Sequence, residues 1–216
     1  MTTTFGFLHT AEVNQVTFSR LLEEISPADT AVHLTDASLL TDARRRDGVD
    51  DDLLSRIGAR IGALADRGAA RILCTCSTIA GPAEAVGRAL GLDVLRVDRP
   101  MAEQAVAGGS RIAVVAALAS TMAPTRDLLQ ETADRAGRTV TITDAPCLAA
   151  WSHFEAGELD RYFATLATHL EAVDQTTDVI VLAQASMAPV EALVSLSSLV
   201  LSSPRTAVLA LVGSSR

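Results

Sequence analysis

Two short segments of this chain carry the residue types that could do chemistry. Arg71-Ile72-Leu73-Cys74-Thr75-Cys76-Ser77-Thr78 and Asp178-Val179-Ile180-Val181-Leu182-Ala183-Gln184-Ala185-Ser186-Met187 each run from an apolar stretch into small and hydroxyl-bearing residues. The apolar part reads as a strand, and the carboxyl end of a strand is where α/β proteins place ligands. Cys76 then falls where a strand gives way to a helix. A thiol there meets unpaired backbone N–H groups and the positive end of the helix dipole, which lowers its pKa from a free value of about 8.5. Such a thiol serves as a nucleophile or as an acid/base. The other reading is a structural cysteine, since free Cys is among the most buried residue types. At the corresponding place the second segment has Gln184, whose amide hydrogen-bonds a carboxylate or carbonyl but abstracts no proton near neutral pH.

Ser77, Thr78, Ala185 and Ser186 open the two helices that follow these strands. Hydroxyls and free N–H groups at helix starts bind carboxylates and other anions. The same residues cap helices, and the two roles are compatible. His9 and Thr10, after the first strand, and Ser120 and Thr121, after the Arg111–Ala116 strand, are the further candidates for touching a ligand. Asp36 reads as a helix cap, Cys74 as core, and Cys147 and Trp151 as packing. Gly108-Gly109 is a turn without the spacing of a dinucleotide fingerprint. Cys74 and Cys76 invite a metal, but zinc takes four ligands and the chain offers no second pair. His9, His33, His153 and His169 fit no ligand spacing, so no metal is expected.

The elements that must position these residues alternate. Strands are expected at Phe5–Leu8, Thr30–Leu34, Arg71–Cys74, Val94–Val97, Arg111–Ala116, Thr139–Thr143 and Asp178–Leu182. Helical spacing lies between them. Asp51–Arg67 places Leu53, Leu54, Ile57, Ile61 and Leu64 along one face and meets a stop at Gly68; Pro124–Ala136 is closed by Gly137; Tyr162–Val173 turns Phe163, Leu166 and Leu170 toward a core. This alternation points to parallel sheets of doubly wound type, and the order of elements repeats in the two halves. Val97-Asp98-Arg99-Pro100 is the best boundary, because Pro100 disfavours helix at Arg99. Leu199–Pro204 reads as a strand or crossover before a last helix that could return to the first half. The expected organisation is therefore residues 1–98 plus 205–216 in one lobe and 99–204 in the other.

Composition sets the limits. At 216 residues, 49% of them hydrophobic, the chain can bury a sizeable core. Its 18 basic residues, all arginine, face 26 acidic ones for a net charge of −8, and aromatics are only 3%; neither nucleic-acid footprint nor stacking platform is expected. Arg44-Arg45-Arg46 is followed at once by Asp47, Asp50, Asp51 and Asp52 and reads as a solvated loop. No apolar run spans a membrane, the N-terminus reads as a strand and not as a signal, and an odd number of cysteines argues for free thiols; the expected compartment is the cytoplasm.

With these residues in place, the chain resembles the aspartate/glutamate/hydantoin racemase superfamily. The resemblance rests on Phe7-Leu8-His9-Thr10, Leu34-Thr35-Asp36-Ala37-Ser38-Leu39, Cys76-Ser77-Thr78, Met101-Ala102-Glu103-Gln104-Ala105, Ala119-Ser120-Thr121-Met122-Ala123-Pro124-Thr125 and Leu182-Ala183-Gln184-Ala185-Ser186-Met187, and so covers nearly the whole chain. It implies an α/β fold of two pseudosymmetric lobes, each a mainly parallel four-stranded sheet flanked by helices, with the active-site cleft between them. It also implies cofactor-independent chemistry at carbon next to a carboxylate of a small acid, and a possible homodimer. In such racemases two cysteines flank the substrate carbon. Cys76 matches the first, and Gln184 occupies the place of the second. The resemblance thus implies an isomerase or racemase-like enzyme with a single thiol. A decarboxylase or other lyase acting on a malonate-type acid, and a non-catalytic carboxylate-binding protein, are the alternatives.

Overall fold

A computed structural model describes residues 2–213; Met1 and residues 214–216, which the expected lobe boundaries include, lie outside the described residues. The chain divides into two compact units, one made of residues up to Asp98 together with those from Pro204 onward, the other of Arg99–Ser203.

The first unit contains β1 (Thr4–His9), α1 (Glu12–Ile25), β2 (Thr30–Thr35), α2 (Ala37–Arg45), α3 (Asp51–Asp66), β3 (Arg71–Cys74), α4 (Ser77–Ala89) and β4 (Val94–Arg96). Its sheet has the order β2-β1-β3-β4, with every pair parallel. Leu53, Ile57, Ile61 and Leu64 of α3 pack with Leu8, Ile72 and Ile79, so the expected apolar face of α3 is the buried one. Asp50 caps α3 by accepting from Leu53 N at 3.0 Å, and Gly68, at φ +88°, follows its end in the left-handed region that glycine enters without a steric cost.

The second unit contains α5 (Arg99–Gly108), β5 (Arg111–Ala116), α6 (Met122–Arg135), β6 (Thr141–Pro146), α7 (Ala149–Glu155), α8 (Leu159–Asp174), β7 (Val179–Leu182) and β8 (Leu199–Ser202). The order β6-β5-β7-β8, again all parallel, repeats the pattern of the first sheet. Along β5 and β7, Ile112, Val114, Val179 and Val181 face α5 and α6, while Val115, Ile180 and Leu182 face Tyr162, Leu166 and Leu170 of α8. Burial on both faces is why these strands read as unbroken apolar runs. Two 3₁₀ segments, Ala119–Thr121 and Ala185–Leu193, follow β5 and β7. A last helix, α9 (Ser203–Gly213), takes the chain back to the first unit, where Arg71 donates to the carbonyls of Ala210 and Leu211 and Arg205 pairs with Glu24 at 2.7 Å.

The expected strands are present, and four details differ. The segment after β7, expected as a helix, is 3₁₀, and α5 starts at Arg99 itself, with Pro100 in its first turn, where the missing N–H costs nothing. β6 begins at Thr141 and not at Thr139, because the turn closing α6 continues through Gly137 and Arg138, whose N–H still bonds Ala133 O at 2.9 Å. Arg44 and Arg45 belong to the last turn of α2, where positive charge suits the helix dipole, so the basic run is helical and not a loop. Arg46 follows it and pairs with Asp50 at 2.6 Å and Asp52 at 3.0 Å. Among the described residues no helix is long and apolar enough to cross a membrane.

α4, which begins at Ser77 directly after Cys76, lies close on β4. A Cβ built on Gly87 would stand 2.3 Å from Val94 Cγ2 and 2.5 Å from Val94 Cβ. Gly87→Ala is expected to lower stability by roughly 1–3 kcal/mol through overpacking. Thermal unfolding followed by circular dichroism checks this, and an unchanged midpoint would show that the helix slides away at no cost.

Candidate functional site

Cys76 follows β3 by two residues and occupies the N-cap position of α4, 8% exposed. Its place is fixed by the sheet: Thr75 N donates to Leu8 O at 3.0 Å, and Ile79 N closes the first turn on Cys76 O at 3.1 Å. Burial raises the Cys76 thiol pKa above its ordinary value; against it act the Thr10 hydroxyl, then the N–H groups of Ile79 and Thr78 and the Thr78 hydroxyl, all of which favour the thiolate. The lowered pKa expected from the helix N-terminus is therefore corrected: the helix start and Thr10 do stabilise the anion, but desolvation is larger. Access of solvent, or donors brought by a ligand, would release the thiolate. Cys74, the last residue of β3, is fully buried and its thiol is pushed far up by that burial. Nearby, Arg96 and Asp98 form a buried two-pronged pair at 2.9 and 3.0 Å, with Arg96 seated against Gly81 of α4.

The other sequence-derived residues of this unit gather at the same sheet end. Ser77 and Thr78 are the first residues of α4, and Thr10 follows β1 directly. His9 is different. It is 0% exposed, with Nδ1 bonded to Thr75 and Nε2 to His33, so it stands behind Thr10 and does not line a ligand surface. Asp36 is the N-cap of α2 and accepts from Ser38 N at 3.1 Å, as expected of a cap, and from Arg60 Nε at 2.9 Å.

The second unit repeats this layout with different chemistry. Cys74 pairs with Leu8 and Leu182 with Val115, so Gln184, two residues past Leu182, is the counterpart of Cys76. Matching hydrogen bonds support the alignment: Ala183 N to Val115 O at 2.9 Å, and Met187 N to Gln184 O at 3.0 Å. Gln184 is 8% exposed, and its Oε1 accepts from Ala117 N at 2.7 Å and from Leu118 N at 3.0 Å. Two N–H donors identify that atom as the oxygen, so the carbonyl is locked and the NH₂ group is the one left for a ligand. Replacing Gln184 by leucine leaves two N–H groups without this acceptor, an expected loss of about 1–3 kcal/mol readable as a fall of several degrees in the thermal midpoint. If the variant melts with the wild type, water has replaced the amide oxygen.

Ala185 and Ser186 start the 3₁₀ segment, not an α-helix, and Ser186 Oγ lies 3.0 Å from Tyr162 Oη. Burial drives the Tyr162 pKa to about 12, so the phenol stays protonated and able to donate. Thr121 turns its hydroxyl onto Leu118 O at 2.7 Å and is almost wholly buried, which makes it a local tie at the end of β5; Ser120 precedes it in the same 3₁₀ turn. Cys147, which follows β6, packs with Tyr162 and Leu182 as expected of a packing residue. The sequence reading missed His33, Ser19, Thr75 and Tyr162, none of which has a local signal. Among the described residues no group of three or more His, Cys, Asp or Glu is placed to hold a metal ion.

No protein-family model matches the chain. No curated protein matches it either. Solved structures do. Picrophilus torridus aspartate racemase superposes with a TM-score of 0.74 at 13% identity, over 98% of this chain and 94% of that one. The glutamate racemase of Francisella tularensis, determined in complex with D-glutamate, gives 0.70 at 14% identity over 98% and 80%. An aspartate racemase homologue from Pyrococcus horikoshii gives 0.69 at 13% identity over 99% and 98%.

The fold is that of the glutamate and aspartate racemases. The fold expected from the sequence, two four-stranded parallel sheets flanked by helices, is therefore the one observed. In this fold Cys76 and Gln184 stand just past the ends of β3 and β7, and only the first of them carries a thiol.

Proposed function

We propose that this protein is a cofactor-independent, racemase-like isomerase acting at carbon next to a carboxylate of a small acid, with Cys76 as nucleophile or acid/base. The observation that carries the reading is the place of Cys76 at the N-cap of α4, where the Thr10 and Thr78 hydroxyls and the Ile79 and Thr78 N–H groups favour its thiolate. Those donors oppose the burial that keeps the thiol protonated, so a ligand that brings further donors or admits solvent shifts the sulfur toward its charged form. The racemase fold and the D-glutamate bound by the Francisella tularensis enzyme support a small carboxylate as ligand. In the first unit Thr10, Ser77 and Thr78 supply hydroxyls and N–H groups suited to such an anion; in the second, Ser120, Thr121, Ala185 and Ser186 offer N–H groups or hydroxyls and Gln184 an NH₂ donor.

One observation favours a second reading. The locked, non-titrating amide of Gln184 offers no second acid/base, which suits a lyase reaction in which the substrate's C–C bond to one carboxylate breaks, carbon dioxide leaves, and the remaining enediolate takes a proton from the Cys76 thiol on one side. Proton NMR in D₂O with a panel of amino, hydroxy, unsaturated and malonic acids separates the two. Deuterium exchange at the α-carbon or cis–trans conversion supports the isomerase, and loss of carboxylate supports the lyase. Line broadening without reaction would point to a carboxylate-binding protein and remove both.

A further inference from the structure

Four side chains of the first unit form one unbroken chain of hydrogen bonds. Ser19 Oγ lies 2.9 Å from His33 Nε2, His33 Nδ1 lies 2.9 Å from His9 Nε2, and His9 Nδ1 lies 2.8 Å from Thr75 Oγ1. Thr75 Oγ1 is also 3.1 Å from the carbonyl oxygen of Leu8. That last link orients all the others. A carbonyl only accepts, so the Thr75 hydroxyl donates to Leu8 and must accept from His9 Nδ1–H. His9 Nε2 is then an acceptor, which requires Nδ1–H on His33, whose Nε2 accepts from Ser19. Both rings are neutral, and burial favours that state in each. The rings stack on each other at 5.2 Å between centroids and on Phe7 at 6.1 and 5.0 Å.

The chain ends on a main-chain carbonyl, which has no hydrogen to hand on. It therefore conducts no proton to Cys76. What it does is fasten. Thr75 sits between Cys74 and Cys76, and His9 immediately precedes Thr10, so the His9–Thr75 bond ties the strand end that bears Thr10 to the strand end that bears Cys76. His33 on β2 and Ser19 on α1 hold the His9 ring in the orientation this requires.

We propose that His9 and His33 are positioning residues that hold the Thr10 hydroxyl against the Cys76 sulfur. The proposal rests on the reading of Cys76 as the working thiol, but thiol reactivity is measured without substrate, so either can fail alone.

The test is the rate of Cys76 alkylation by iodoacetamide on the full chain between pH 6 and 10, followed by peptide mass spectrometry so that Cys74 and Cys147 are counted apart. His9→Asn keeps a donor where Nδ1 was and still reaches Thr75. His9→Gln puts its amide where Nε2 was and releases Thr75. The expected result is that His9→Gln shifts the Cys76 profile to higher pH and slows alkylation near neutral pH by about tenfold, the worth of one charge-assisted hydrogen bond, as Thr10→Val does. His9→Asn should stay within about twofold of wild type, the scale of a bond of similar strength. Should His9→Gln not fold, His33→Gln breaks the inner link from its half-buried side and should shift the profile in the same direction. The proposal is overturned if the folded His9→Gln or His33→Gln leaves the profile unmoved, if His9→Asn is as impaired as His9→Gln, or if Thr10→Val itself has no effect.

Discussion

Replacing Cys76 by alanine or serine is expected to abolish turnover of whichever acid the D₂O panel identifies, a loss on the order of 10³-fold or more, while the fold survives. Alanine removes the sulfur altogether. Serine keeps a hydroxyl of similar size at the same N-cap, yet its oxygen ionises too weakly to replace a thiolate ringed by Thr10, Thr78 and Ile79. Serine is also a good N-cap, so α4 has no reason to fray in that variant. The measurement is the same NMR time course on wild type and both variants, with circular dichroism as the check on folding. Full activity in both folded variants would remove the thiol from the mechanism and with it the isomerase reading.

The second large effect is an acid-dependent loss of stability. His9 has its pKa lowered to about 3 by burial and by His33, and His33 is lowered by burial and by Arg67, whereas an unfolded histidine titrates near 6.5. Below that value the unfolded chain binds protons that the folded chain refuses, so stability is complete above about pH 6.5 and falls steadily toward pH 3. His9 alone is expected to remove about 2 kcal/mol by pH 5, and His33 adds to it in the same direction. Carboxylates such as Asp178, held low by Arg111, begin to contribute only at more acid pH, and Glu191, raised by burial, acts in the opposite direction, so the fall between pH 6.5 and 5 comes from the histidines. Thermal midpoints at pH 7.5 and 5.0 measure the effect, and His9→Asn should flatten the slope. A wild-type midpoint independent of pH would mean that the unfolded chain protects these rings equally well.

These effects also show what the sequence could and could not disclose. Strand positions were legible because β3, β5 and β7 are buried on both faces and, after Arg71 and Arg111 at the starts of the first two, apolar to their ends. Cys76 at the head of a helix followed from Ser77, Thr78 and the end of an apolar run. Its acidity did not, because the local rule at a helix start is opposed by burial, and burial is a property of the whole fold. His9 and His33 looked unrelated at 24 residues apart; they meet because parallel pairing sets His33 beside Phe7, one strand over from His9. The lock on Gln184 was invisible for a similar reason. Its donors are backbone N–H groups of Ala117 and Leu118, which any residue type would supply.

The path of the backbone has a consequence for how the protein is made. The second unit is a single uninterrupted stretch, Arg99–Ser203, whereas the first needs α9, to which Arg71 of β3 is tied through the carbonyls of Ala210 and Leu211. During synthesis the earlier-translated half must wait, short of one helix, while the later half emerges and closes. Until α9 has been made, Arg71 lacks those two carbonyl partners, and Ala207, Val208 and Leu211, buried in the finished protein, are missing from the first unit.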